Sequence, residues 1–215
     1  NRDSETNNGD LITDAMLWQV KQDADIKLTV DDDHIVAITN GGGIRAEIKV
    51  GDVTKNDIFT VLPFGNTVDV IYVTGAQLLE VLEASTFCLP ESIGGFPQVS
   101  GISYTISTAV PYDANAETYP ASTYYGPKTI NRVSINSING KEFKSDDTYA
   151  VVTNDFCSTG GDTYYAFKST AKADKVATGV TLDQALMNYV KTELKGVIGK
   201  QYAAPQGRIL MNPFA

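Results

Sequence analysis

Three short stretches of this chain carry residue types suited to holding a small ligand. The first is Asn40-Gly41-Gly42-Gly43-Ile44-Arg45, which joins an amide and a glycine run to a guanidinium fork that fits phosphate or carboxylate. Three successive glycines exceed the needs of a turn. They make sense where backbone must approach something closely or take φ values a side chain forbids. The second is Leu62-Pro63-Phe64-Gly65-Asn66, and the third runs from Asn154-Asp155-Phe156 to Gly160-Gly161-Asp162. Phe64 and Phe156 are able to sandwich a flat ring, with stacking worth about 1–3 kcal/mol per base. Asp162 can accept bonds from a ribose diol, and Arg45 can take a phosphate oxygen or a hydroxyl. Each residue also has a plainer reading: core packing for the two phenylalanines, a turn cap for Asp162, a surface charge for Arg45. The combination is the signal, because binding groups concentrate on loops held by a rigid scaffold.

The scaffold is legible in outline. An apolar run, Ile35 to Ile38, leads into the glycine stretch, and Val68 to Val73 and Tyr149 to Thr153 read as buried strands. Leu11 to Gln19 reads as a helix with Asp10 as N-cap. Thr74-Gly75-Ala76-Gln77 and Thr181-Leu182-Asp183-Gln184 have the spacing of capping boxes that open two further helices. Phe59 to Leu62 reads as extended, ended by Pro63. Ile102 to Ile106 is expected as a strand, residues 107–128 as a surface excursion, and Asn139-Gly140 as a hairpin turn. No repeat or linker divides the chain, so residues 1–215 are expected to form one α/β domain of mixed sheet and helices.

Composition narrows the function classes. The 215 residues are 42% hydrophobic and 20% charged, with a formal net charge of −9, which describes a globular chain with a sizeable core. That sign opposes a nucleic-acid groove or an anionic membrane surface. A phosphate-bearing ligand must then be held by a few placed cations. No apolar run approaches the roughly 18 residues of a membrane span, and no signal-peptide pattern is present. The chain begins at Asn1 inside what reads as structured sequence, which suggests a piece of something longer. Cys88 and Cys157 are expected as buried thiols rather than a bridge. Asp31-Asp32-Asp33 reads as a solvated loop and His34, the single histidine, as a surface residue entering a strand.

In order and spacing, Glu5-Thr6-Asn7-Asn8-Gly9-Asp10-Leu11, Asn40 to Arg45, Leu62 to Asn66, Gln98-Val99-Ser100-Gly101, Asn154-Asp155-Phe156 and Gly160-Gly161-Asp162 resemble the C-terminal domain of the 5′-nucleotidase family. The resemblance spans about Arg2 to Ile209. It implies a four-layer α/β/β/α fold that binds the nucleoside part of a nucleotide. Phe64 and Phe156 would clamp the base, Asp162 would hold the ribose hydroxyls, and Arg45 would meet the ribose or phosphate side. Asn40 and Asn66 would supply polar contacts, and Gly43 and Gly101 complete the expected substrate-binding set. Arg2 lies where relatives carry arginines, in loose register, and Ser4 stands at a position where the resemblance would place another Arg. The resemblance also implies that the chemistry belongs to an N-terminal metallophosphoesterase domain with two divalent metal ions, absent from this chain. One histidine cannot build such a site, so no catalytic or metal residue is expected here, and this chain alone should bind without hydrolysing. The expected partners are a small-molecule nucleotide or nucleoside and the protein's own N-terminal domain, with no nucleic acid and no membrane span. The family is generally exported, to the extracellular space, cell wall or periplasm. Two alternatives stand beside a 5′-nucleotidase: the same fold in a 2′,3′-cyclic-nucleotide phosphodiesterase or nucleotide-sugar hydrolase, or a non-catalytic surface binding module.

Overall fold

Helix α1, Asn7–Gln22, starts one turn before the expected point. Thr6 is its N-cap and accepts from the Gly9 N–H, while Asp10 lies inside the first turn and is buried. Strand β1 is Ile35–Asn40. Next comes α2, Lys55–Val61, where a strand was expected. Thr54 and Asp57 close a reciprocal capping box there, and Ile58 and Val61, one turn apart, face the core. The β-branched residues around Phe59 suggested extension; the cap and the burial of those two residues outweigh them. Strand β2 is Thr67–Thr74 and α3 is Gly75–Thr86, opened by the predicted Thr74–Gln77 capping box. Strands β3, Pro97–Ser100, and β4, Ile102–Ser107, follow, then β5, Val133–Ile138, and β6, Thr148–Asn154. The short helix α4, Asp155–Ser158, leads by a single-turn helix to β7, Lys175–Thr181, then α5, Leu182–Thr192, and β8, Ile209–Asn212. Helix α5 begins where predicted, although the Thr181 side chain makes no capping bond. In this computed structural model the residues described are 1–109, 130–170 and 175–212; most of the predicted surface excursion lies outside them.

The strands form two sheets. The larger has the order β3-β1-β6-β2-β7, with β1 and β6 parallel and the other neighbours antiparallel. The smaller has the order β5-β4-β8. Period-two alternation sends the strands of the large sheet into two cores. Ile35, Ala37, Val68, Val70, Ala150 and Val152 pack with α1, α2 and α5. Val36, Ile38, Ile71, Val73 and Val151 pack with α3 and the small sheet. The mixed α/β class and the expected sheet-on-sheet arrangement flanked by helices are therefore present.

The Asn139-Gly140 turn is in place, both residues at positive φ, but the return after it is a single bridge between Ile138 and Lys141. Both cysteines are free thiols; Cys157 is buried and Cys88 partly so. Among the described residues no helix is long and apolar enough to cross a membrane.

Candidate functional site

β1 and β6 run parallel and end side by side at Asn40 and Asn154. β2 begins beside Asn154, through its pairing with Val68, and β7 ends opposite Thr67. One edge of the sheet thus gathers the glycine stretch, the Phe64 loop and the Phe156 loop at the carboxyl ends of the parallel strands. Open α/β sheets place ligands at that edge.

The glycine run owes its composition to close approach. The N–H groups of Gly41 and Gly42 donate to Phe96 and Gly94 carbonyls, each at 2.7 Å. A Cβ on Gly42 would stand 2.9 Å from the Gly94 oxygen. None of the three glycines takes a positive φ, so close backbone contact, and not φ, accounts for Gly41 and Gly42, while the nearest neighbour of a Cβ on Gly43 is the Asn40 side chain. Just beyond, the Arg45 guanidinium donates to the Gly42 carbonyl at 3.2 Å and lies 5.8 Å from the centre of the Phe64 ring, within range of a cation–π contact.

Asn40 is the buried hub. Its Nδ2 donates to Asp162 Oδ2 at 2.8 Å, and its Oδ1 accepts from Asn154 Nδ2 at 3.0 Å. Asn154 also donates to Thr39 Oγ1 and, through Oδ1, caps α4 by accepting from the Cys157 N–H. Burial raises the Asp162 carboxyl above its usual range, an effect opposed by the Asn40 hydrogen bond and the nearby Arg2 charge. Asp162 sits at φ 49°, in the left-handed region, which aspartate tolerates better than most residues. Burial also pushes the Cys157 thiol far up, so it is a packing group and not a nucleophile.

The Phe64 and Phe156 loops are tied together: Asn66 Nδ2 donates to Asp155 Oδ1 at 2.6 Å. Phe64 is 60% exposed and Phe156 is 42% exposed. Neither is a core residue, against the plainer reading of each. The Phe156 ring lies over Gly161, where a Cβ would meet ring carbons at 2.6 Å. A shallow depression beside Phe64 is lined by Gly43, Leu62, Asn66, Asn154, Leu182 and Asp183.

Seven of the eight expected binding residues thus lie at or beside this edge: Asn40, Gly43, Arg45, Phe64, Asn66, Phe156 and Asp162. Gly101 does not join them. It follows Ser100, which pairs with Ala37, and contacts Val36 and Asn139, towards the other end of β1. Its φ of +77° and the 2.8 Å from its would-be Cβ to Asn139 Oδ1 explain the glycine there. Gln98 of the same motif is fully buried and anchors the N-terminal segment, donating to the Asn1 and Ser4 carbonyls and accepting from the Thr6 N–H. The Arg2 carbonyl accepts from Ile93 N–H, which brings residues 1–6 against the wall of the site. Sequence reasoning assigned no role to Asn154, Asp155, Leu182 or Asp183. The first two stood inside a quoted motif; the last two carried only a helix-start signal.

His34 lies away from this edge, before β1. It is partly buried between Asp33, 2.7 Å from Nδ1, and Asp147, 3.2 Å from Nε2, and stacks on Tyr149. Among the described residues no group of three or more His, Cys, Asp and Glu side chains is arranged to hold a metal ion.

Comparison with known proteins identifies the family. The family model for the 5′-nucleotidase C-terminal domain matches residues 1–169. The trifunctional nucleotide phosphoesterase protein YfkN of Bacillus subtilis is 39% identical over 168 residues, covering 77% of this chain and 10% of that protein. Cell wall protein Lmo0130 of Listeria monocytogenes is 30% identical over 198 residues, covering 89% of this chain and 22% of that protein. The crystal structure of a 5′-nucleotidase precursor from Thermus thermophilus superposes with a TM-score of 0.75 at 33% identity, covering 97% of this chain and 36% of that one. The chain therefore spans between about a tenth and a third of the length of these relatives. It belongs to the family of 5′-nucleotidase C-terminal domains.

Proposed function

We propose that this chain is the nucleotide-binding domain of an exported, metal-dependent 5′-nucleotidase, and that it holds base and ribose while a separate N-terminal domain hydrolyses the 5′-phosphate. The observation that carries the reading is the pair of exposed aromatic rings, Phe64 and Phe156, on loops joined by the Asn66–Asp155 hydrogen bond. Large apolar side chains left in water beside convergent polar groups mark a binding surface. Asp162 supplies the acceptor for a ribose diol, and Arg45 stands one ring away to meet the phosphate side. The two metal ions belong, in this reading, to the N-terminal domain, and no step of the chemistry passes through residues of this chain. An exported location is supported by the relative named as a cell wall protein. A second reading, a broader nucleotide phosphoesterase, is favoured by the name of the 39% identical relative and uses the same clamp.

The test is steady-state kinetics of the full-length protein with nucleoside 5′-monophosphates. Phe156→Ala removes one stacking face, worth about 1–3 kcal/mol, and should raise KM about 5- to 150-fold. Asp162→Ala should raise it as well, by removing the diol acceptor. Unchanged KM in both variants would remove the clamp from this domain. A 2′,3′-cyclic nucleotide turned over at a comparable kcat/KM would favour the second reading.

A further inference from the structure

Asn66 is held at two points. Its carbonyl oxygen accepts from the Leu182 N–H at 2.9 Å, and its side-chain nitrogen donates to Asp155 Oδ1 at 2.6 Å. An ionised carboxylate only accepts hydrogen bonds, so the NH2 end of the amide must face Asp155. The oxygen then faces the other way. Among the described residues no donor reaches Asn66 Oδ1, and that atom is not among the buried ones left without a partner. It is an acceptor without a donor among the described residues, on a residue that lines the depression beside Phe64. Asn40 is fixed in the opposite sense. Its oxygen is occupied by Asn154 and Cys157, so its NH2 end faces Asp162.

We infer that Asp155 is a positioning residue that locks the Asn66 amide with its oxygen outward, so that the site selects bases presenting an N–H donor to the 62–66 loop. The inference rests on the nucleotide-binding reading. An unrestrained amide can turn over and offer either end to a ligand. One held by a carboxylate cannot do so without leaving an acceptor facing an acceptor. Adenine attached to ribose has one kind of donor, its exocyclic amine, and unsubstituted purine has none. The pair isolates the contact.

The experiment compares kcat/KM for AMP and for purine riboside 5′-monophosphate in the full-length protein, its Asp155→Ala, Asp155→Asn and Asn66→Ala variants, and the Asp155→Ala/Asn66→Ala double variant. Wild type should favour AMP about tenfold, the scale of one net hydrogen bond, with the difference in KM and not in kcat. Both Asp155 variants should bring the preference to about twofold or less. Asn66→Ala should do the same, and adding Asp155→Ala to it should change the ratio no further. Asp155→Asn preserves shape and remains informative should Asp155→Ala fold poorly. The inference is overturned if wild type shows no preference, if the Asp155 variants keep it, or if the effects at 155 and 66 add independently. Failure of the underlying reading looks different: wild type would turn over neither nucleotide, or Phe156→Ala would leave KM unchanged, and the inference would fall with it.

Discussion

Gly42 and Gly43 are neighbours of one residue type, yet the structure asks different things of them. The nearest atoms to a methyl on Gly42 are backbone atoms of Gly94, at 2.9 and 3.0 Å; on Gly43 the nearest is the Asn40 side-chain oxygen at 3.3 Å. Backbone that already accepts a 2.7 Å hydrogen bond cannot retreat without breaking it. Gly42→Ala should therefore cost about 1–3 kcal/mol of stability, read as a lower urea midpoint at unchanged m-value. Gly43→Ala should cost less. Equal effects would show that the Gly94 contact is not what fixes the glycine. Sequence reasoning reached the general point, since a glycine triplet implies close approach or unusual φ, but could not name the Gly94–Phe96 backbone as what comes close. Phe64 and Phe156 show a similar limit: residue type predicts burial, and only the position of each loop beyond its strand leaves the ring in water. Gly101 shows the reverse. It sits in a family motif, and the structure gives it a backbone task at +77° towards the other end of the strand.

At the scale of elements, α4 is four residues long and cannot hold itself in place. It is seated by a buried charge. Ser158 at its end donates to Asp69 Oδ2 at 2.6 Å, and Lys175, the first residue of β7, meets the same oxygen at 2.8 Å. Asp69 on β2 is buried, whereas the Lys175 side chain keeps a quarter of its surface in water. Removing the cation leaves a buried carboxylate without its counter-charge, which costs about 3–5 kcal/mol for a fully buried pair. Partial exposure of Lys175 lowers the expected loss for Lys175→Met to about 2–3 kcal/mol. Ser158→Ala removes the hydroxyl that donates to Asp69 and accepts from Lys175 at 2.7 Å, and should cost about 1–2 kcal/mol. Urea unfolding of both variants checks the order, and a Lys175→Met protein as stable as wild type would show that the pair does not hold the turn beneath Phe156. Nothing in the sequence announced this seat, because its three members are 17 to 106 residues apart and lie on different elements. Elements marked by local chemistry were legible: α3 through its capping box, the hairpin turn through Asn139-Gly140. Helix α2 carried a Thr54–Asp57 box as well, but residues 51–57 read as a polar connection and the stretch after Phe59 as extended, so the cap went unused.

The whole molecule joins its distant segments through polar groups, and two of these make its stability depend on pH in the same direction. Hydrogen bonds to Asp33 and then Asp147 raise the pKa of His34, which links the entries of β1 and β6. Burial raises the Asp10 carboxyl to about 7, against the pull of Arg208; Asp10 also accepts the Gln206 N–H and so ties α1 to the segment before β8. A group whose folded pKa is raised binds its proton more tightly in the folded state. Its contribution is complete below the unfolded pKa and is lost as pH rises through the folded value. For His34 that loss begins near pH 6.5, and for Asp10 it spreads from about pH 4 to about pH 7. Wild-type stability from urea unfolding should therefore decline as pH rises from 5 to 8. His34→Gln should flatten the upper half of that decline, and Asp10→Asn the lower half. The two sites lie on different elements with no shared partner among the described residues, so the double variant should show the sum of the two changes. A decline that survives in the double variant would assign the pH dependence to the chain's net charge of −9 rather than to these two clasps.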